Sequence, residues 1–407
     1  MKNRIVFVEA NTTGTGMMAI KKAMNQGYEV LFLTKTPHIY SGLYEIGCNV
    51  IVINTNSFND IKNYINNMLE ETVGVMTTSD YYLESVARLN EFFGFVGNSY
   101  LAIKSCRNKG IFRSLSHSNN LYQPKFHIVE SIDSLNDIFS AIQFPCVVKP
   151  TEDSGSNNVR LCFNRENVIE MTKKILDDKY TSRGQEKKNE VLIEEYIEGP
   201  EFSVEMFSWE GKSSCIGITE KRLTGYPYFV ESSHVFPCSL SKEAQIEIEQ
   251  TVKTALKLVN FRYGASHSEV KWTPKGCIII EINPRLAGGM IPELIRYSTG
   301  IDLLEQQVLS SIGISPEINQ IVYKKHAGIH FLTSNKSGNL SRIIGMEEIS
   351  KLSNVEEIKI NSEIGSFVEK PRNFSHRLGY IIISGKKYDE VDNLLKKLVK
   401  RVYIATS

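Results

Sequence analysis

Two short stretches hold a dense set of groups able to do chemistry. They are His267-Ser268-Glu269-Val270-Lys271 and Ile280-Glu281-Ile282-Asn283-Pro284-Arg285. They flank Pro274-Lys275-Gly276, a turn signal, so they read as a hairpin. Side chains on a strand alternate faces. Glu281, Asn283 and Arg285 therefore share one face, Ile280 and Ile282 face the core, and Glu269 lies opposite on the partner strand. Two carboxylates and an amide oxygen make a hard, oxygen-only set. Such a set suits Mg²⁺ bound to nucleotide phosphates, with water and phosphate filling the other positions. Arg285 can neutralise a transferring phosphoryl or acyl oxygen. The plain alternative is an exposed polar strand face.

Other stretches lower that alternative. Pro145–Pro150 is an apolar strand that ends in Lys149, and Lys109 is a second lysine near an element end. Thr151–Asn158 is rich in Ser, Gly and Asn, so it reads as a mobile loop. The backbone N–H groups of Ser154, Gly155 and Ser156 can cover a triphosphate. Glu194, Glu195, Tyr196 and Ile197 form an extended run that can offer an N–H and a C=O to an adenine edge. Glu201, after the Gly199-Pro200 turn, can accept from ribose hydroxyls. Each of these is weak alone.

The elements that must position these groups follow from pattern. The first 100 residues alternate strand and helix: Ile5–Val8, Met17–Asn25, Val30–Leu33, Val50–Ile53, Phe58–Glu70 and Gly74–Met76. This is a βαβ rhythm and implies a parallel sheet covered by helices. Gly14-Thr15-Gly16-Met17-Met18-Ala19 matches a dinucleotide turn. The next strand, however, ends in Thr34-Lys35 without the acid that grips a ribose, so the match reads as a tight βα turn. Lys179–Glu190 reads as a solvated connection. Lys242–Val259 is an amphipathic helix, and residues 320–407 alternate strands with two helical stretches. The chain has 407 residues, 42% hydrophobic and 23% charged, with 47 basic against 46 acidic residues. That balance argues against nucleic acid or an anionic membrane as partner. No apolar run reaches the roughly 18–20 residues of a membrane span. Seven scattered cysteines without Cys-x-x-Cys imply free thiols and a cytoplasmic setting.

Together, and in this order, these motifs resemble the ATP-grasp superfamily. Arg107-Asn108-Lys109 is similar to that family's first nucleotide-binding lysine, with Asn108 where Asp is usual. Lys149 resembles the second lysine, residues 151–158 the glycine-rich flap and residues 191–201 the hinge. Glu269, Glu281 and Asn283 match the magnesium ligands, and Arg285 the arginine that stabilises acyl-phosphate and tetrahedral species. Within the superfamily, the run from Glu281 to Pro292 resembles L-amino-acid (dipeptide) ligases. Glu231 and His234 stand where those enzymes place substrate-recognising residues, and Gly288, Gly289 and Met290 follow the arginine.

The resemblance implies an α/β fold with α+β lobes. Its parts would be a Rossmann-like domain (1–103), a central lobe with the flap (104–198), a lobe with the metal and catalytic residues (199–318) and a small α+β subdomain (319–407). It implies ATP, two Mg²⁺ ions with Mn²⁺ able to substitute, and a carboxylate–amine ligase that forms a peptide bond through an acyl phosphate. Arg285 and His234 would be catalytic. His234 would shuttle the amine proton, with a binding or structural role equally open. Amino-acid, carboxylate and amine substrates and a homodimer are the implied partners. Open alternatives are loading of an amino acid onto a carrier protein, and non-catalytic ATP binding. His326-x-x-x-His330 lies in an extended run and reads as packing rather than metal binding. Tyr226, Tyr228 and Phe229 read as an acceptor pocket or as packing.

Overall fold

The computed structural model describes residues 3–12, 15–318 and 320–407. Gly14 of the expected βα turn lies outside the described residues. Strands Asn49–Val52, Glu29–Thr34, Arg4–Val8 and Thr72–Met76 form, in that order, a parallel sheet. Its alternation sorts residues to two covered faces. Ile5 and Phe7 pack with Ala19 and Ile20, while Val6 and Val8 pack with Ile61 and Ile65.

The carboxyl end of this sheet is where a doubly wound fold would take a dinucleotide. Here Glu9 is buried and accepts from Thr34 Oγ1 (2.9 Å), the Lys35 amide (2.7 Å) and Thr55 Oγ1 (2.6 Å). Within residues 179–190, most of which are exposed as in a solvated connection, Arg183 and Gln185 also dock on that end, which the local charge pattern does not show. Arg183 Nη2 donates to the Ala10 carbonyl (3.1 Å), Asn56 Nδ2 to the Arg183 carbonyl (2.9 Å) and Gln185 Nε2 to the Tyr81 carbonyl (3.0 Å). These polar side chains find their partners on backbone carbonyls far away in the chain, which a local charge pattern does not reveal.

A second, antiparallel sheet runs Phe126–Val129, Val191–Glu195, Cys146–Pro150 and Arg160–Cys162. Helices Ile132–Ile138 and Arg165–Asp177 close its core through Leu135, Val168 and Met171. The third sheet has eight strands. Its order is Gly276–Asn283, Gly264–Thr273, Glu201–Trp209, Lys212–Thr224, Val230–Phe236, His326–Leu332, Gly379–Gly385 and Val355–Ile360. Val235 pairs with Gly328, so this sheet runs continuously across the 318/319 boundary. A three-stranded sheet and the helix Tyr388–Arg401 complete the C-terminal part. No helix among the described residues is long and apolar enough to cross a membrane. All seven cysteines are free.

His326 and His330 lie on the strand His326–Leu332. His330 is largely enclosed, and burial pushes its pKa down to about 4. The unfolded chain therefore binds an extra proton between that value and about 6.5, so stability falls as pH drops through this window. His330→Asn should flatten this part of the urea-denaturation profile. The difference from wild type should build to roughly 3 kcal/mol by pH 4.

Candidate active site

The hairpin of the expected metal ligands pairs Glu269 with Glu281 and His267 with Asn283, so both carboxylates and the amide meet at one end of the eight-stranded sheet. A bulge between Glu269 and Val270 leaves Ile280 outside the ladder. This corrects the simple alternation. Ile279 and Ile282 enter the core, and Ile280 does not, because the extra residue shifts the parity of the strand. Asn283 Nδ2 donates to Glu281 Oε1 at 2.8 Å, which orients the amide oxygen away from that bond.

Lys109 begins the helix Lys109–Ser118. Asn108 caps this helix by accepting from the Ile111 amide (2.8 Å), the task an Asp would do. A lysine at a helix N-terminus is unfavourable. Lys109 is held there by Glu281 Oε2 at 3.0 Å, which with Asp153 outweighs burial and raises its pKa. Glu281 in turn is held well below the usual carboxylate range: burial works against its charge, and Lys109 and Asn283 overcome it.

Lys149 ends its strand buried, with Nζ 2.5 Å from Glu194 Oε2. Arg113, fully buried, donates from Nε to the other oxygen of Glu194 at 2.5 Å. It also donates to the carbonyls of Ile279 and Ile280 at 3.0 Å each, on either side of the bulge. Glu194 thus stays ionised: burial raises its pKa, and Arg113 and Lys149 bring it below the ordinary value. Burial dominates at Lys149 and lowers its pKa. The backbone of Glu194 pairs with Phe126 on one side and Val147 on the other, and the Glu195 amide donates to Lys125. Their main chain is therefore committed to the sheet. Of the expected hinge, Tyr196 and Ile197 lie beyond the strand end. Tyr196 packs against Phe229, which meets Tyr226 edge-on, so this aromatic loop supports the hinge.

Lys221 had no sequence signal and is central. Its buried ammonium lies 3.2 Å from Glu201, 2.8 Å from Glu231 and 2.5 Å from Glu269. Burial opposes its charge, but the three carboxylates raise its pKa well above ordinary. Glu201 is also 3.2 Å from Lys271. His267 bridges Glu205 (Nδ1, 2.9 Å) and Glu269 (Nε2, 3.4 Å), and those carboxylates overcome burial to raise its pKa to about 9. It is a cation at neutral pH.

Arg285 Nε donates to Asp80 Oδ1 at 2.7 Å, and Nη1 to the Leu286 carbonyl at 2.8 Å. Asp80 comes from the first domain and was not foreseen. A narrow cavity opens among Asp80, Lys109, Asp153, Ser154, Glu281 and Asn283. The flap bounds it. Gly155 has φ +68°, and a Cβ there would collide with the Phe374 ring, so both the backbone and the contact require glycine. Ser156 also takes a left-handed φ, +59°.

Glu231 and His234 sit farther along the same sheet. Glu231 Oε2 lies 2.5 Å from Arg377 Nη2 and 3.6 Å from His234 Nε2. His234 is buried edge-on to Phe331, and neither ring nitrogen has a hydrogen-bond partner among the described residues. Burial lowers its pKa, so it is neutral at pH 7. Gly289 faces it: an added Cβ would lie 3.0 Å from His234 Nε2. Gly288 has open space beside it, whereas Met290 is buried in the core with Leu294 and Ile295. The structure thus brings Lys109, Glu281 and Asn283 to one cleft, pairs Lys149 with Glu194 and Arg285 with Asp80, and turns Met290 into the core.

Glu269, Glu281 and the Asn283 oxygen fit a small hard cation that keeps water and phosphate among its ligands. Among the described residues, no three His, Cys, Asp or Glu side chains close a cage of their own.

A family model described as an ATP-grasp domain matches residues 142–293. The protein has an ATP-grasp fold. A model described as L-amino acid ligase C-terminal domain 2 matches residues 330–407. The solved L-amino acid ligase from Bacillus licheniformis shares this ATP-grasp architecture with a TM-score of 0.85, over 100% of both chains at 21% identity. The chain is 23% identical over 404 residues to the protein y4rH of Sinorhizobium fredii (strain NBRC 101917 / NGR234), covering 99% of this chain and 83% of that one. It is 27% identical over 181 residues to carnosine synthase 1 of Gallus gallus, which covers 43% of this chain and 20% of the relative.

Removing Arg113 should break the buried pair and unsatisfy two carbonyls at once. Arg113→Met should cost about 3–5 kcal/mol in urea unfolding, the range for breaking a buried ion pair. A surface change such as Lys275→Met should stay within about 0.5 kcal/mol.

Proposed function

We propose that the protein is an ATP-dependent ligase that joins a carboxylate, and most directly an amino acid, to an amine. The observation that carries this reading is the paired register of Glu269 and Glu281 beside Lys109 and Arg285. Nucleotide binding alone does not need a half-buried arginine aimed by an aspartate from the first 103 residues. The match of residues 330–407 to an L-amino acid ligase domain supports the amino-acid class.

In this reading Tyr196 and Ile197 offer main-chain groups to adenine and Glu201 takes the ribose, held in place by Lys221 and Lys271. Glu269, Glu281 and Asn283 would hold Mg²⁺, which would supply charge stabilisation at the phosphates. Lys109, Lys149 and Lys221 offset the remaining charge. A carboxylate oxygen attacks the γ-phosphorus, the bond to the β–γ bridging oxygen breaks, and ADP leaves. Catalysis of such a transfer is mainly positioning and charge stabilisation. The amine nitrogen then attacks the acyl-phosphate carbonyl. Arg285 and the N–H groups near Gly288 and Gly289 stabilise the oxyanion, the C–O bond to phosphate breaks, and inorganic phosphate leaves. Neutral His234 has a free ring nitrogen to take the amine proton. The flap excludes water, which would otherwise hydrolyse the acyl phosphate.

Phosphate release from ATP and Mg²⁺ should be low alone and rise with pooled L-amino acids. Glu281→Ala should remove that rise by at least about 100-fold. Stimulation equal in wild type and variant would sink the assignment. Asp80→Asn should lower kcat by about 10–100-fold while the KM for ATP moves less than about threefold, since the hydrogen bond Asp80 accepts is the one that aims Arg285.

A further inference from the structure

The flap, residues 151–158, is held in place from outside itself. Its main-chain turn bonds are long: the Asn157 amide reaches the Ser154 carbonyl, and the Val159 amide the Ser156 carbonyl, at 3.4 Å each. Its start is fixed at Asp153, whose Oδ1 accepts from the Ser154 amide at 2.9 Å and whose carbonyl accepts from Lys109 Nζ at 3.3 Å. Its end is fixed at Asn158, which has a left-handed φ of +53° and donates from Nδ2 to Asp178 Oδ2 at 3.0 Å. One ammonium joins the two ends. Lys187 Nζ donates to Asp153 Oδ2 at 3.0 Å and to Asp178 Oδ2 at 2.6 Å. The Lys187 side chain is 9% exposed against 53% for Lys188 beside it, so it is not one of the solvated charges of its segment.

Lys187 belongs to a strap that is itself anchored on the first domain. Tyr180 bridges Glu186, and the Lys187 amide donates to the Lys179 carbonyl at 2.9 Å, which closes residues 179–187 into a small hairpin. The tip of that hairpin carries Arg183 and Gln185, which bond to Ala10 and Tyr81. The first domain, the strap, Lys187 and both flap ends thus form one line of contacts. It leads to Ser154, which lines the cavity with Lys109 and Glu281.

We propose that Lys187 is a positioning residue for the flap, holding its two ends over the phosphate end of the site so that the activated acid meets the amine before it meets water. This rests on the ligase reading above and assigns what that reading leaves open, namely the group that sets the flap. Lys187 acts through Asp153 and, by way of Asp178, through Asn158. Without it the two aspartates lose the cation they share and repel each other, and the ends of the flap part. Water then attacks the acyl-phosphate carbonyl and the C–O bond to phosphate breaks. The acid and inorganic phosphate are returned, and the proton from water passes to solvent. ATP is consumed and no amide forms.

The test uses the full chain with ATP, Mg²⁺ and pooled L-amino acids, and reads phosphate released against primary amine lost. Wild type should lose about one amine per phosphate. Wild type that releases no phosphate, or releases it with no loss of amine, overturns the ligase reading itself. With wild type coupled, Lys187→Met should release at least about three phosphates per amine lost. Lys187→Arg keeps a cation between the aspartates and should restore most of the coupling. A fall in both rates at an unchanged ratio is what a merely structural role gives, and it overturns the proposal. Arg183→Met leaves Lys187 and the flap unaltered but frees the tip of the strap, so it should raise the ratio as well. Where Lys187→Met fails to fold, Arg183→Met decides, and a ratio equal to that of wild type overturns the proposal.

Discussion

Arg113 is the joint on which the site depends. It has no exposed surface, and a charge so placed is stable only when paired and fully hydrogen-bonded. Its partners come from two sheets: Glu194 on the central lobe and the bulge carbonyls of the hairpin of Glu269 and Glu281. The same helix that carries Arg113 presents Lys109 at its first turn, one helical turn away. One buried guanidinium therefore fixes the spacing of Lys109, Lys149 and Glu281 together. A rigid shell of this kind is what a reaction dominated by positioning needs.

The charges around that joint alternate in sign. Lys109 lies on Glu281, Lys149 on Glu194, Lys221 among Glu201, Glu231 and Glu269, and His267 between Glu205 and that same Glu269. A polyphosphate with divalent cations carries both signs as well. It can enter by exchanging partners within the set, without leaving a buried charge alone. At Lys109, Lys221, Glu281 and Glu194 this mutual support overcomes the burial that opposes each charge singly, whereas at Lys149 burial prevails and lowers the pKa.

What was legible in the sequence was local. The hairpin announces itself because its donors sit within five residues on each strand around one turn, and the β-α alternation of the first domain follows from apolar runs. The bulge at Ile280 was not legible, since it is a property of the pairing and not of either strand. Arg113, Lys221, Asp80 and Arg377 were missed for a common reason. Each is a single charged residue whose meaning lies in a partner distant in sequence: Arg113 and Glu194 are 81 residues apart, Arg285 and Asp80 205, Arg377 and Glu231 146. Read alone, a charged residue on a helix or strand defaults to solvent. Arg183 and Gln185 erred the same way, and only docking on Ala10 and Tyr81 shows otherwise.

The eight-stranded sheet explains how two kinds of chemistry share one scaffold. Glu269 and Glu281 lie on its first two strands, while Glu231 and His234 lie on its fifth, beside the strand His326–Leu332. Lys221, on the strand between Glu201–Trp209 and Val230–Phe236, is the side chain that spans the gap. In the proposed ligase reading, phosphate handling and substrate recognition would be neighbours in one rigid ladder, drawn from different segments of the chain. Changes near Phe331 or Gly289 touch the surroundings of Glu231 and His234 and leave the pairing of Glu269 with Glu281 in place. Changes at Lys221 reach both, because its single ammonium serves Glu201, Glu231 and Glu269 together.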